Sequence, residues 1–495
     1  MTLNRLGLAV VAVLTWTAPS AAQTAAADRS PLAQKPEVAA ALTVLDSWIA
    51  ATVAQREQPG LSIGVVYDQE LIWAKGYGYA DLERRVPTTP STIYRIASIS
   101  KLFTATAIMQ LRDAGKLRLD DPVSERLPWF SIKKTYDGGP PITIRHLITH
   151  TSGLPRELSG VNWSDLTFPG REALRRVLPG QETVFAPATE WKYSNLAVSL
   201  AGEVVAQVSG ESWPQYVERH ILQPLGMTAT RAVPARDTPR LAIGYGRRVP
   251  GRARDVEPYV DIGAEAPAGN LASNVEDLAK FVSLQFRDGP SGGAQVLQGS
   301  TLHEMHRVQW LRPDWRSGWA LGFSIRRVDD QVRVGHTGSL PGHRTQIEIA
   351  PAQKLGVIVL TNANDGDPFR YNDQAFVLLN PAVAKAVAPP DTPKVADAAW
   401  QQYVGRYAWK FAEMQIQILN GELTLIVPEA DNPWDGRLIH KPVRAHTFRM
   451  VAPGFTYGPI GELLTFEMDG KGKVARVRTP NSYWLPIETG GRDRP

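Results

Sequence analysis

Ser98 and Lys101, in the run Ile96-Ala97-Ser98-Ile99-Ser100-Lys101, stand three residues apart, the interval at which two side chains share one face of a helix. If Ser98 opens that helix, the Lys101 amine reaches Ser98 Oγ, and the unpaired amides of the helix start lie beside it. A hydroxyl with a base at hand and backbone donors for a developing oxyanion is the equipment of acyl transfer. Taken alone, Ser-x-x-Lys is a common pattern and reads as a helix cap. Two further runs lie downstream. Tyr193-Ser194-Asn195 follows residues 187–191 and comes directly before a helix pattern, and His336-Thr337-Gly338 ends a strand pattern and enters a turn.

These three runs, in this order, sit in a frame that contains Gly76-Tyr77-Gly78-Tyr79-Ala80-Asp81, residues 144–155, Pro224-Leu225-Gly226-Met227 and residues 267–273. Over about residues 40–380 the chain resembles the serine β-lactamase and penicillin-binding protein superfamily, in particular its class C-like, D,D-carboxypeptidase- and esterase-related branch. The resemblance implies Ser98 as nucleophile, Lys101 as its basic partner and Tyr193 as the proton shuttle to the leaving group. It implies that Asn195 holds Lys101 and the substrate amide. His336, Thr337 and Gly338 would form the edge-strand wall of the substrate site, and the backbone N–H groups of Ser98 and Ser339 the oxyanion hole. A lysine at its ordinary pKa of about 10.4 is a poor base, so a cluster with a buried tyrosine must lower one of the two. Whether Lys101 or Tyr193 is the base stays open.

His336 stands where β-lactamases of this superfamily usually carry lysine, while some of its D,D-carboxypeptidases carry the same His-Thr-Gly. At an ordinary pKa of about 6.5 a histidine lends little fixed positive charge at neutral pH, which points away from an efficient β-lactamase. If the charged form of His336 recognises a substrate carboxylate, kcat/KM falls as pH rises through about 6 to 7.

Other patterns fail on context. Gly289-Pro290-Ser291-Gly292-Gly293 matches G-x-S-x-G but follows a helix pattern rather than a strand and reads as a loop. His303-Glu304-Met305-His306 lacks the i, i+4 histidine spacing of a zinc-protease helix. Gly76-x-Gly78 reads as hairpin glycines, His150 and Ser152 as structural residues of a turn, and the tryptophans as core, some of them able to wall an apolar pocket. No metal and no organic cofactor is expected.

The elements that must position these residues follow from periodicity. Val38, Leu42, Leu45 and Ile49 recur at helical spacing, and residues 61–67 and 70–76 read as a strand hairpin. Residues 101–114, ended by Gly115, and 196–208, closed by Gly210, read as helices. Strand patterns return at residues 319–328, 332–336, 345–350 and 356–361. The fold class expected is α/β: an antiparallel sheet, to which both ends of the domain contribute, flanked by helices and joined by an all-helical subdomain. The domain is placed at residues 38–380, a linker rich in Ala, Val and Pro at 381–398, and a small all-β, barrel-like domain at 399–487. There the period changes to two, with hairpins across Asn420-Gly421 and residues 469–472. This last domain resembles the lipocalin-like appendages of some superfamily members.

The composition sets bounds. With 495 residues, 43% apolar and 21% charged, the chain is globular and large enough for two or three cores. It has no cysteine, which removes disulfides, thiolate metal sites and a cysteine nucleophile. Basic residues number 54 and acidic 49, a net +5, too little to point to nucleic acid. Arginines concentrate between Arg231 and Glu257, either as a solvated loop face or as a rim that attracts anionic substrates. Arg5, the apolar residues 6–18 and Ser20-Ala21-Ala22 read as an export signal over residues 1–22, cleaved near Ala22, followed by a flexible segment at 23–37. The apolar stretch is short for a membrane span, and no other candidate span is evident downstream, so stable membrane insertion is not expected.

The function expected is that of an exported, periplasmic or secreted serine hydrolase cleaving an amide or ester through a Ser98 acyl-enzyme. A D-amino-acid or small-peptide amidase or carboxypeptidase is favoured over a carboxylesterase, and both over a β-lactamase. Its partner is a small-molecule or peptide substrate, a class that includes peptidoglycan fragments. The rival of another class is a non-catalytic module that binds penicillin or peptidoglycan. Oligomeric state stays open.

Overall fold

The computed structural model describes residues 30–328, 331–389, 396–410, 412–428, 437–451 and 460–487, which leaves the expected export signal outside the described residues. The chain divides into two compact units, up to Val387 and from Ala388.

The first unit is built on a nine-stranded sheet. Its strands are β1 (Gly60–Tyr67), β2 (Glu70–Asp81), β3 (Val86–Pro87), β6 (Trp310–Leu311), β7 (Ser317–Trp319), β8 (Ser324–Val328), β9 (Gln331–Leu340), β10 (His343–Ala350) and β11 (Leu355–Thr361); β4 (Tyr94–Arg95) and β5 (Ala272–Ser273) form a separate pair. The sheet order β3-β2-β1-β11-β10-β9-β8-β7-β6 places β1 against β11, with Ile63 opposite Val359. The two ends of the domain thus share one antiparallel sheet, as the strand patterns suggested.

Both faces of β1 and β11 are covered, so these strands are continuous apolar runs instead of alternating ones. On one face α1 (Pro36–Gln55) and the helix Pro368–Val387 pack Val38, Leu42, Leu45 and Ile49 together with Tyr371, Phe376 and Leu379. With a mean hydropathy of 1.4 over an 18-residue window, α1 is long and apolar enough to cross a membrane, a candidate that the periodicity reading passed over. In the structure its apolar stripe is spent on the sheet.

On the other face lie α2 (Ser100–Asp113) and the helices Asn195–Ser209 and Val275–Leu284. Almost every side chain of α2 from Ser100 to Leu111 is buried, the condition of a helix packed on all sides. Asn195–Ser209 starts where Ser194 Oγ accepts the Ala197 N–H at 2.9 Å and stops at Gly210, whose φ of +78° a side chain would oppose.

Four boundaries differ from the sequence reading. The pattern at 319–328 is two strands, because Gly322, at φ +84°, turns the chain between Trp319 and Ser324. The His336-Thr337-Gly338 run lies inside β9, and the turn comes afterwards at Pro341-Gly342. The Ala- and Val-rich stretch after Pro381 continues the last helix to Val387, with Val383 buried in the core shared with α1; its composition is that of a packed helix end. Residues 30–35 form turns leading into α1, so helix starts at Pro36, a residue suited to the first helical position.

The second unit is a closed eight-stranded antiparallel barrel, β12 (Gly405–Trp409), β13 (Ala412–Leu419), β14 (Glu422–Ile426), β15 (Leu438–Arg444), β16 (Thr447–Val451), β17 (Leu463–Met468), β18 (Val474–Arg478) and β19 (Tyr483–Pro486). β19 closes on β12, with Ala408 opposite Leu485. Tyr407, Met414, Ile416, Phe448, Met450 and Phe466 fill the interior, as an eight-stranded barrel allows. The Asn420-Gly421 turn has both residues at positive φ, which matches the twist of a two-residue hairpin.

Candidate active site

The β4–β5 pair and the Ile96 N–H, bonded to Leu271 O at 2.9 Å, hold the chain entering the site. Ala97 then takes φ +50°, and residues Ala97–Ile99 form a tight 3₁₀ turn before α2 begins. Ser98 therefore sits on the turn that feeds α2 and not on α2 itself, yet the three-residue spacing still places Lys101 beneath it. Lys101 Nζ lies 3.0 Å from Ser98 Oγ and donates to Ala268 O at 2.7 Å. Tyr193 Oη donates to Ser98 Oγ at 2.9 Å. Two ionisable groups from separate segments thus converge on one hydroxyl.

Burial separates their protonation. Lys101 is brought down to about 7 by desolvation, against the opposing pull of Glu265 and Glu157. Tyr193 is pushed well above the ordinary phenol range, again by burial. Burial thus brings the amine towards neutral pH and carries the phenol away from it.

The site opens into a cleft of about 970 Å³, lined among others by Ser98, Tyr193, Asn195, Glu265, Trp319, His336, Thr337 and Ser339. β9 forms one wall. Gly338 lies against the chain entering the Ser98 turn, and Thr345 Oγ1 donates to Ile96 O at 3.0 Å from the neighbouring strand. His336 is buried, its Nδ1 2.5 Å from Thr337 O and its Nε2 without a partner. Burial, then the Lys101 charge, lowers it to about 3. His336 is therefore neutral across pH 6 to 7, and the expected loss of a charged form in that window does not arise.

Asn195 does not make the expected contact with Lys101. Its Nδ2 donates to Glu157 Oε1 at 3.0 Å and Oε2 at 2.9 Å, not towards Lys101, whose partners are Ser98 and Ala268. Asn195 Oδ1 is buried and unpartnered. Glu157 and Glu265 form a carboxyl pair behind it. Glu265 accepts the Leu158 N–H at 3.0 Å and is raised to about 8 by burial and by Glu157. Neither carboxylate has a spacing to Ser98 that periodicity could expose; Glu157 follows the 144–155 run by two residues, and Glu265 precedes 267–273 by two.

His150 supports Tyr193: its ring is 4.4 Å from the Tyr193 ring, and Nδ1 accepts the Ser194 N–H at 3.2 Å. The Trp191 and Trp319 rings meet at a tilt, with centroids 5.3 Å apart, and Trp319 lines the cleft. The other patterns stand elsewhere. Residues 289–293 are a loop, His303 pairs with Asp288 at 3.0 Å, and among the described residues no group of three His, Asp or Glu is placed to hold a metal. The arginine-rich stretch divides: Arg254 pairs with Asp365 at 2.6 Å and Arg248 with Glu57 at 2.5 Å, while Arg247 lines the cleft.

Residues 45–380 match the family model described as Beta-lactamase. The chain belongs to the beta-lactamase family. Protein flp of Staphylococcus aureus (strain MW2) is 30% identical over 328 residues, which is 65% of this chain and 63% of that protein. The match thus spans less than two thirds of that relative's length. The octameric penicillin-binding protein homologue from Pyrococcus abyssi superposes with a TM-score of 0.59 at 26% identity, over 90% of this chain and 99% of that one. A D-stereospecific amidohydrolase from Streptomyces sp. shares the fold, with a TM-score of 0.56 at 22% identity over 67% of this chain and 97% of its own. Within the beta-lactamase fold, the geometry above brings Ser98, Lys101 and Tyr193 together and sets His336, Thr337 and Ser339 along the same cleft.

Proposed function

We propose that this beta-lactamase-family chain is a serine hydrolase that cleaves an amide or ester through an acyl-enzyme at Ser98. The observation that carries the reading is the convergence of Lys101 Nζ and Tyr193 Oη on Ser98 Oγ. Ser98 Oγ attacks the acyl carbon while its proton passes to the neutral Lys101 amine. The N–H groups of Ser98 and Ser339 receive the oxyanion. Tyr193 O–H gives its proton to the leaving nitrogen or oxygen as the bond to the acyl carbon breaks, and the Lys101 ammonium returns a proton to Tyr193. Water then reverses the sequence on the acyl-enzyme, with Lys101 again the base.

A neutral, buried His336 supplies no fixed positive charge for a substrate carboxylate. That favours an amidase acting on small D-amino-acid or peptide substrates over a β-lactamase, with carboxylesterase activity second. Export to the periplasm or beyond is part of the same reading and rests on the pattern of residues 1–22.

The test is a substrate panel of p-nitrophenyl acetate, a D-amino-acid amide and benzylpenicillin, run on wild type and Ser98→Ala. Turnover of the ester and the amide that disappears with the mutation, together with slow or absent penicillin hydrolysis, is expected. Fast penicillin turnover would overturn the preference, and turnover that survives Ser98→Ala the mechanism.

A further inference from the structure

Beyond His336 the Ser98 cleft adjoins a second cavity, of about 190 Å³, that the mechanism above does not use. The two share Trp319, Ser324, His336 and Thr337. The remaining walls of the second cavity include Trp191, just before the Tyr193 run, and Phe369, in the first turn of the helix Pro368–Val387. Arg312 lies over the Trp191 ring at 4.7 Å and Arg326 over the Phe369 ring at 5.3 Å, so each of these rings has a cation on one face. Arg326 is in turn paired with Glu348 and with Asp373, each at 2.6 Å. With that guanidinium already neutralised, what the cavity chiefly offers a ligand is ring surface.

The chemistry at Ser98 fixes which part of a substrate lies nearest this cavity. With the acyl carbon on Ser98 Oγ and its oxygen on the Ser98 and Ser339 amides, the departing atom faces Tyr193 Oη, which gives it a proton. Along β9 the cavity meets Gly335, His336 and Thr337, at the end away from Ser339. The Tyr193 ring stands 6.1 Å from that of Trp319 and 6.3 Å from that of His336, both of which wall the cavity. The cavity is therefore on the leaving-group side. We propose that it receives an aromatic ring carried by the leaving group, so that the preferred substrates are esters or amides of an alcohol or amine bearing an aryl group. This rests on the Ser98 acyl-enzyme reading and narrows it. A dry apolar cavity of roughly 150 Å³ takes up benzene, so the volume here suits one such ring. Aromatic walls add edge-to-face and offset contacts that a saturated group of the same size does not make.

The experiment holds the acyl group constant and varies the alcohol: kcat/KM for benzyl, cyclohexylmethyl and ethyl acetate, whose leaving groups are of similar basicity. Wild type is expected to prefer benzyl to ethyl acetate about tenfold or more, with cyclohexylmethyl acetate between them. Ser317 and Phe369 line the second cavity and not the Ser98 cleft, so substitutions there act on the cavity. Ser317→Phe, which fills it, and Phe369→Ala, which removes one ring wall, are each expected to bring the benzyl-to-ethyl ratio towards one. Phe369 is 42% exposed, so its truncation takes little from the core and decides the matter should Ser317→Phe fail to fold. Equal wild-type rates for benzyl and ethyl acetate, cyclohexylmethyl acetate at or above benzyl acetate, or a ratio unchanged in Phe369→Ala would overturn the proposal. So would turnover of p-nitrophenyl acetate through Ser98 with none of the three alkyl esters accepted. Absence of p-nitrophenyl acetate turnover as well would strike the acyl-enzyme reading itself, and the proposal with it.

Discussion

A Cβ built on Gly338 would lie 2.1 Å from the carbonyl oxygen of Ile96, so β9 and the chain entering the Ser98 turn meet backbone to backbone. That contact sets the spacing between the two amides expected to face the oxyanion, those of Ser98 and Ser339. No side chain fits between them.

Gly338→Ala is therefore expected to push β9 away from the turn. Overpacking of this kind costs about 1 to 3 kcal/mol, and displacement of one oxyanion donor costs about 100-fold or more in kcat. Thermal unfolding and p-nitrophenyl acetate kinetics on the same preparation check both. A folded variant with wild-type kcat would show that Ser339 does not serve the oxyanion.

The pH profile follows from Lys101, brought to about 7 by burial. A base works only after losing its proton, so kcat/KM is expected to rise as pH increases through about 7 and then level off. Lys101 and Glu265, raised to about 8, feel one another, so the observed inflections belong to the pair. Lys101→Arg keeps a cation that does not deprotonate and should lose activity by at least about 100-fold. A profile independent of pH across this range would remove Lys101 as base.

His336 contributes no inflection of its own. Held neutral down to about 3, it leaves the profile between pH 5 and 8 to other groups. The expected result for His336→Gln is a rising limb at the wild-type position, whatever happens to the maximal rate. A fall in wild-type kcat/KM between about pH 6 and 7 that vanishes in the variant would restore a charged histidine.

Much of the site was legible because its residues lie in contiguous runs. Ser98 and Lys101 are one turn apart, Tyr193 and Asn195 stand at a helix start, and the third run lies on a strand, so the runs could be matched to the family they resemble, which supplied the roles; Ser-x-x-Lys alone reads as a helix cap. Glu157 meets Asn195, the Ala268 carbonyl meets Lys101 and Glu265 meets the Leu158 N–H only through tertiary packing. Nothing in their local spacing marks them. The same limit explains the departures at Asn195 and His336: sequence names a side chain, but its hydrogen-bond partners and its burial decide which atom it offers and whether it is charged. In the fold, the sheet and the central helices were readable from periodicity. Strands β12, β15, β16 and β19 of the barrel were not singled out; β15 loses its alternation at the irregularity between Pro442 and Arg444. The helix end at residues 381–387 was misread as a linker because Pro381 and small residues look alike in both settings.

The packing of α1 on the sheet yields a stability prediction. Leu45 is fully buried between α1 and the strands. Leu45→Ala should destabilise the first unit by about 2 to 5 kcal/mol, the range for a buried leucine that leaves a cavity. Denaturant unfolding followed by tryptophan fluorescence would record it. A change within about 0.5 kcal/mol, the range of surface substitutions, would mean that α1 does not form this core.

The central claim is an acyl-enzyme on Ser98, and intact-mass spectrometry after brief exposure to a fluorophosphonate probe tests it most directly. Wild type is expected to gain the mass of a single adduct and Ser98→Ala to gain none. No adduct on folded wild-type protein, or an adduct that persists in Ser98→Ala, would contradict the account, and the first of these would favour a binding module over an enzyme.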